Sequence, residues 1–197
     1  YSVSTLLASV LPIPYHPIRS YFESLPKWDG KDRITELAEC LKGNESERKL
    51  IAKHFMKHIV RCVASAFVKG FFNKHCFVII GVGQSMGKTT FIRNLVPDIL
   101  KQYSVESILN WKDKDASISL GSNWIINLDE LANLNKDESN SLKAILSQNH
   151  IKLRRPYEKV ETEIPRLANF FGSTNDLQFL TDLTGNVRWI CFRIYQI

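Results

Sequence analysis

The chain is poor in the features that mark specialised protein classes. Its four cysteines, Cys40, Cys62, Cys76 and Cys191, are scattered and include no C-x-x-C pair. That spacing excludes a zinc ribbon and a disulfide framework, leaving buried or free thiols of a reducing compartment. The apolar stretch 5–12 is too short to span a bilayer and has no basic segment before it, so no membrane partner and a cytoplasmic location are expected. No internal repeat or low-complexity tract occurs, which excludes solenoids and arrays. The first residue is Tyr1 rather than Met, so a piece of a longer protein, or a chain from which a tag remnant has been cut, is expected.

What is present is ordinary in amount and unusual in order. At 197 residues and 44% hydrophobic content the chain can bury one large core, with or without a small appendage. A formal charge of +6 favours polyanionic partners, although lysine-rich solvated faces produce the same balance.

The organisation divides near residue 70. Residues 1–43 carry four of the seven prolines, and Asp29-Gly30 favours a chain reversal. A short helix is expected over 33–42. A long one is expected over 45–69, with Leu50, Ile51, Phe55, Ile59, Val63 and Phe67 as its apolar stripe and Gly70 as its stop. Its other face holds Arg48, Lys49, Lys53, Lys57 and Arg61; an ordinary amphipathic helix packed on the core explains this pattern more simply than a DNA-binding helix. Beyond residue 70, strands are expected at 76–80, 104–109, 124–128, 168–173 and 188–194, with helices at 87–95 and 136–147. Near-continuous apolar strands alternating with helices predict an α/β fold with a mostly parallel sheet, buried on both faces and flanked by helices. The expected division is an N-terminal helical region, 1–69, and an α/β core, 70–197.

Two motifs carry the chemistry. Cys76-Phe77-Val78-Ile79-Ile80 runs into Gly81-Val82-Gly83-Gln84-Ser85-Met86-Gly87-Lys88-Thr89-Thr90. A strand emptying into a glycine-rich turn and then a helix aims backbone N–H groups at a phosphate. Gly83, Gln84, Ser85, Met86, Gly87, Lys88, Thr89 and Thr90 are the expected ATP contacts, with Lys88 on the outer phosphates and Thr89 on a magnesium ion. The second motif is Leu128-Asp129-Glu130 at the end of an apolar strand. Asp129 is expected to complete the Mg²⁺ site and Glu130 to polarise water; an acidic pair opening a helix is the competing reading. Asn175, after Gly172-Ser173-Thr174, suits contact with a terminal phosphate or the attacking water, and equally an N-cap. Arg188 is the candidate arginine finger, from this or a neighbouring subunit. Residues 150–166 read as two short strands around Pro156-Tyr157. There Lys152, Arg154, Arg155, Lys159 and Arg166 with Tyr157 suit nucleic acid, while Glu158, Glu161 and Glu163 suit cross-strand ion pairs instead.

These stretches together resemble the virulence-associated protein E-like family. The resemblance is carried by Pro17-Ile18-Arg19-Ser20-Tyr21 and Leu25-Pro26-Lys27-Trp28-Asp29-Gly30-Lys31-Asp32-Arg33-Ile34, then by the glycine-rich loop and Leu128-Asp129-Glu130. It continues through Arg155-Pro156-Tyr157, Pro165-Arg166, Gly172-Ser173-Thr174-Asn175 and Thr184-Gly185-Asn186-Val187-Arg188-Trp189. The chain departs from the family pattern at Val82, Gly83 and Ser85, and it has one arginine, Arg188, where the family has a pair. The resemblance implies a P-loop ATPase similar to superfamily 3 helicases, acting in replication of phages or mobile elements and often joined to a primase-like domain. It further implies ATP and Mg²⁺, a homo-oligomeric ring with Arg188 reaching a neighbour's site, and the 150–166 hairpin turned toward single-stranded DNA. A non-catalytic nucleotide-dependent switch or scaffold and a small-molecule kinase are the alternatives.

Overall fold

In the computed structural model the described residues are 15–81, 83, 85–106, 114–153, 162–176 and 186–197. Five parallel strands form the central sheet in the order β2-β3-β6-β1-β7, with β1 at Cys76–Gly81, β2 at Ser104–Glu106, β3 at Ile125–Leu128, β6 at Asn169–Thr174 and β7 at Trp189–Ile194. A separate antiparallel pair, β4 (His150–Leu153) and β5 (Thr162–Pro165), is the expected hairpin. Every residue of β1 and of β6 is buried, as a strand covered on both faces requires.

The two faces have different cover. Phe77 and Ile79 of β1 join a cluster with Ile18, Leu41, Ile51, Phe55, Phe91 and Ile92. Those residues come from α1 (Pro17–Glu23), the segment after α2 (Arg33–Ala38), α3 (Arg48–Phe67) and α4 (Lys88–Asn94). Val78 and Ile80 point the other way, into a cluster with Leu120 of α5 (Lys114–Ser122) and Leu142, Ile145 and Leu146 of α6 (Lys136–Ser147). The hydrophobic core therefore runs across residue 70, with α3 as one of its walls.

The face that α3 buries keeps the middle of the expected stripe, with Ile51 and Phe55 buried and Ile59 and Val63 packed against the same core, and differs at its ends. Ile51, Phe55, His58, Cys62 and Ala66 are buried, whereas Leu50 is 45% exposed and Phe67 37%. Small residues at 62 and 66 let the helix lie close to the sheet, where the indole Nε1 of Trp124 donates to the Cys62 carbonyl at 2.7 Å. The ring of His58 meets Phe171 edge-on, and its Nε2 donates to the Phe170 carbonyl at 3.1 Å. That contact fixes the tautomer, and burial pushes the His58 pKa down to about 3.

Element limits follow local chemistry. The helix expected at 136–147 occupies those residues because Asn135 and Glu138 form a reciprocal capping box. The helix expected at 33–42 stops at Ala38, and the strand expected at 104–109 is described only to Glu106. Two helices, α1 and α5, had no counterpart among the sequence expectations. The signal for α1 was His16 as N-cap, accepting from the Arg19 amide, with Pro17 in the first turn.

Candidate active site

The carboxyl ends of β1, β3 and β6 meet at one edge of the sheet, where doubly wound folds place their ligands. β1 delivers the glycine-rich loop, β3 delivers Asp129 and Glu130, and β6 delivers Ser173, Thr174 and Asn175. All three groups line one open cleft of about 580 Å³.

Lys88, the first residue of α4, is the centre of this arrangement. Only 8% of it is exposed. Its Nζ donates to Oδ1 of Asn175 and, at 3.4 Å, to the Gly83 carbonyl. Among the described residues no carboxylate lies within ion-pair distance of it, and desolvation lowers its pKa while the charge of Asp129 opposes that shift. A shielded ammonium held by two neutral acceptors is a site short of negative charge.

Two glycines permit this placement. Gly87 has φ of +83°, a left-handed conformation that side chains disfavour. Gly81 lies directly under the lysine, and a Cβ there would stand 2.5 Å from Lys88 Nζ.

Beside the ammonium is an oxygen pair. Oγ1 of Thr89 donates to Oδ2 of Asp129 at 3.1 Å, while the Ser173 hydroxyl and the Glu130 amide donate to its Oδ1. A hydroxyl next to an ionised carboxylate is a donor set that a hard cation such as Mg²⁺ accepts. Among the described residues there is no cluster of three or more His, Cys, Asp or Glu able to hold a metal by themselves. Ser173 had no assigned part in the sequence reading, because a serine inside an apolar strand carries no signal of its own.

The remaining residues divide between the cleft and elsewhere. Ser85 and Glu130, with φ of 58° and 53°, are the two non-glycine residues at positive φ among those described. Both line the cleft, as conformational strain at functional sites would. The Glu130 carboxylate is exposed and accepts from Nδ2 of Asn133 at 2.6 Å. Met86 folds its sulfur onto the Gly83 amide at 3.2 Å, and Thr90 lines the rim of the cleft.

Arg188 is not in the cleft. It precedes Trp189, which pairs with Cys76 at the start of β1, so it stands at the opposite end of the sheet. Along the six residues of β7 that separation is about 20 Å. Its Nε donates to the hydroxyl of Ser147 at the end of α6.

The basic hairpin is partly described. Lys152 is exposed and stands opposite Glu163 in the β4–β5 register. Gln84, Arg154, Arg155 and Lys159 lie outside the described residues.

Arg166 corrects the expectation that it belongs with the phosphate-contacting set. It is 1% exposed, donates to the carbonyls of Asn73, Leu146, Gln148 and Ala168, and lies between the rings of Phe72 and Phe170. It ties the end of α6 and the base of the hairpin to the sheet.

The family model of the virulence-associated protein E-like domain matches residues 22–196 of this chain. The chain belongs to that family. Among solved structures, this E-like domain is similar to the apo structure of the NrS-1 C-terminal region (305–718), at 16% identity and a TM-score of 0.58 over 92% of this chain and 42% of that one. An A-form apo structure of the same NrS-1 region matches at 16% identity and a TM-score of 0.53, over 88% and 40%. Another A-form structure of it gives 16% and 0.58, over 93% and 42%. At this identity the likeness is one of fold, and the E-like domain spans about two-fifths of those chains. No curated protein matches it. Among its described residues no helix is long and apolar enough to cross a membrane.

Proposed function

We propose that this E-like domain binds and hydrolyses ATP at the cleft between β1, β3 and β6, as the motor part of a protein acting in DNA replication of a phage or mobile element. The observation that carries the reading is Lys88: a shielded cation with no carboxylate on it, at strand ends beside the Thr89–Asp129 oxygen pair. A triphosphate supplies the missing charge there. The replicative setting is what the family implies, and the chain's membership of that family supports it.

In this reading Lys88 and the loop amides hold the outer phosphates, and Asn175, whose Oδ1 accepts from Lys88, donates through its Nδ2 to the terminal phosphate. Thr89 and Asp129 would hold Mg²⁺, which supplies charge neutralisation for the phosphoryl group. Ser173 keeps Asp129 oriented. Glu130 turns from Asn133 to accept a proton from the attacking water. Arg188, at the far end of the sheet, serves the site of an adjacent copy rather than its own, which calls for a homo-oligomer such as a ring. The hairpin, through Lys152, Arg154, Arg155 and Lys159, contacts single-stranded DNA, and a primase-like domain or partner accompanies the motor.

The deciding experiment is steady-state ATP hydrolysis with and without single-stranded DNA, with Glu130→Gln and Arg188→Ala as controls. Turnover that rises with DNA and collapses in both variants supports the reading. ATP binding without turnover at any protein concentration overturns hydrolysis. It would favour a nucleotide-dependent DNA-binding switch, the second reading that the Glu130–Asn133 contact supports.

A further inference from the structure

Helix α3 has five basic residues and no acidic one in its 20 residues. Arg48 is paired, to Glu39 at 3.3 Å and Glu45 at 3.7 Å. Lys49, Lys53, Lys57 and Arg61 have no carboxylate within ion-pair distance among the described residues. They follow one another at intervals of four, on the side of the helix opposite the buried Ile51, Phe55, His58 and Cys62.

This pattern works against the helix that carries it. Like charges four residues apart destabilise a helix by roughly 0.2–0.5 kcal/mol per pair. Cations in the first turn, here Arg48 and Lys49, also oppose the helix dipole. A helix face that is merely solvated has no need of such a row, and glutamates at alternate places would remove both costs. The positive field also reaches the neighbouring rings: burial lowers the His54 pKa first, and Lys57, Lys53 and Arg61 lower it further. His75 is lowered in the same way by burial, then by Arg61 and Lys74. Lys74, itself exposed between the buried Asn73 and the half-buried His75, acts on the same ring as Arg61.

We infer that the row Lys49, Lys53, Lys57 and Arg61, extended by Lys74, is a docking surface for a nucleic-acid phosphate backbone, separate from the hairpin. Residues four apart are offset by about 6 Å along a helix axis. A nucleic-acid strand advances about 3.4 Å per phosphate, so each cation meets roughly every second phosphate. The contact is to backbone charge, which positions nucleic acid without reading its sequence. The surface lies on the outer side of the layer that covers the Phe77 face of the sheet. Nucleic acid held there stays with the domain whatever the state of the cleft. The inference shares with the proposed function only the choice of partner.

The test is binding of a labelled oligothymidylate and of a labelled duplex to the chain, without nucleotide, across a series of salt concentrations. It compares the unaltered protein with Lys49→Gln/Lys53→Gln/Lys57→Gln and, separately, with Lys152→Gln. The triple variant is expected to bind at least tenfold more weakly and to lose about 2 from the log–log salt slope, at about 0.7 per phosphate contact on a single strand. Its melting temperature should be unchanged or higher, because the repelling pairs are gone. Equal affinity and slope in the triple variant overturn the inference and leave the hairpin reading standing. Absence of nucleic-acid binding by the unaltered chain overturns it too, as does a preference of the row for vesicles of anionic lipid. Row-dependent binding in a protein that does not hydrolyse ATP upholds it while the ATPase reading fails.

Discussion

Oγ1 of Thr89, the second residue of α4, donates to Oδ2 of Asp129, the first residue beyond β3, at 3.1 Å. The two are 40 positions apart, and their meeting sets a hydroxyl beside one oxygen of a carboxylate whose other oxygen accepts from the Ser173 hydroxyl.

Removing either oxygen should separate metal use from nucleotide binding. Thr89→Ala and Asp129→Asn are each expected to lower Mg²⁺-dependent ATP turnover by at least about 100-fold, because charge neutralisation at the phosphoryl group is lost. Binding of a fluorescent ATP analogue in the presence of a chelator should change far less. Equal loss in both measurements would place the pair in the fold rather than in the chemistry.

Gly81→Ala should displace the Lys88 amine without unfolding the protein. The new Cβ would stand 2.5 Å from Nζ, 2.9 Å from Cδ and 3.2 Å from Cε, so the outer half of the lysine side chain must move while no backbone atom is met. The expected outcome is a melting temperature within a few degrees of the unaltered protein and an ATP affinity reduced about tenfold, equivalent to about 1.4 kcal/mol. Calorimetric titration and thermal denaturation on the same preparation check it.

Arg188 stands at the amino end of β7 and the glycine-rich loop at the carboxyl end of β1. Its contribution to hydrolysis should therefore come from a second copy. Arg188→Ala and Glu130→Gln are each expected to be nearly inactive, since a finger contributes about 10³–10⁵ in rate. A mixture of the two variants should recover activity, because some interfaces then combine an intact site with an intact arginine. No recovery on mixing would show that Arg188 acts within its own chain or not at all.

His58 predicts acid sensitivity with a definite sign. Its pKa falls from 6.5 to about 3 on folding, so between those values the unfolded chain holds a proton that the folded chain does not. Stability is then lost as pH falls through that window and is retained above it. At about 1.4 kcal/mol per pH unit over that window the loss approaches roughly 5 kcal/mol. His58→Gln keeps an N–H for the Phe170 carbonyl, and its melting temperature should decline less steeply between pH 6.5 and pH 3 than that of the unaltered protein. Parallel slopes in the two proteins would assign the acid sensitivity to other groups.

The parts of this protein that were readable in the chain are those governed by near neighbours. The β1 run into Gly87 and Lys88, the Asp129-Glu130 pair at the end of β3 and the capping box that starts α6 are each set by residues within a few positions. So is the hairpin, whose register follows from its two short strands. Periodicity placed α3 as a helix with Ile51, Phe55, Ile59 and Val63 toward the core, but it missed His58, Cys62 and Ala66, because small or polar residues on a buried face carry no hydrophobic signal.

Distance along the chain hid the rest. Ser173 looks like any strand serine until β6 lies beside β3 and its hydroxyl meets Asp129. Arg166 reads as one more cation of a basic insertion. Its burial is decided by four backbone carbonyls and two aromatic rings brought together from distant segments. Arg188 follows the expected motif, but only the parallel pairing of β7 with β1 puts it at the wrong end of the sheet for its own cleft. The sequence by itself determined the local devices, the loop, the caps and the donor types, since each depends on backbone conformation and neighbouring side chains. Which of those donors share a site, and which charges lie free on the surface, was decided by the tertiary structure, because strand order and packing set distances that no local pattern encodes.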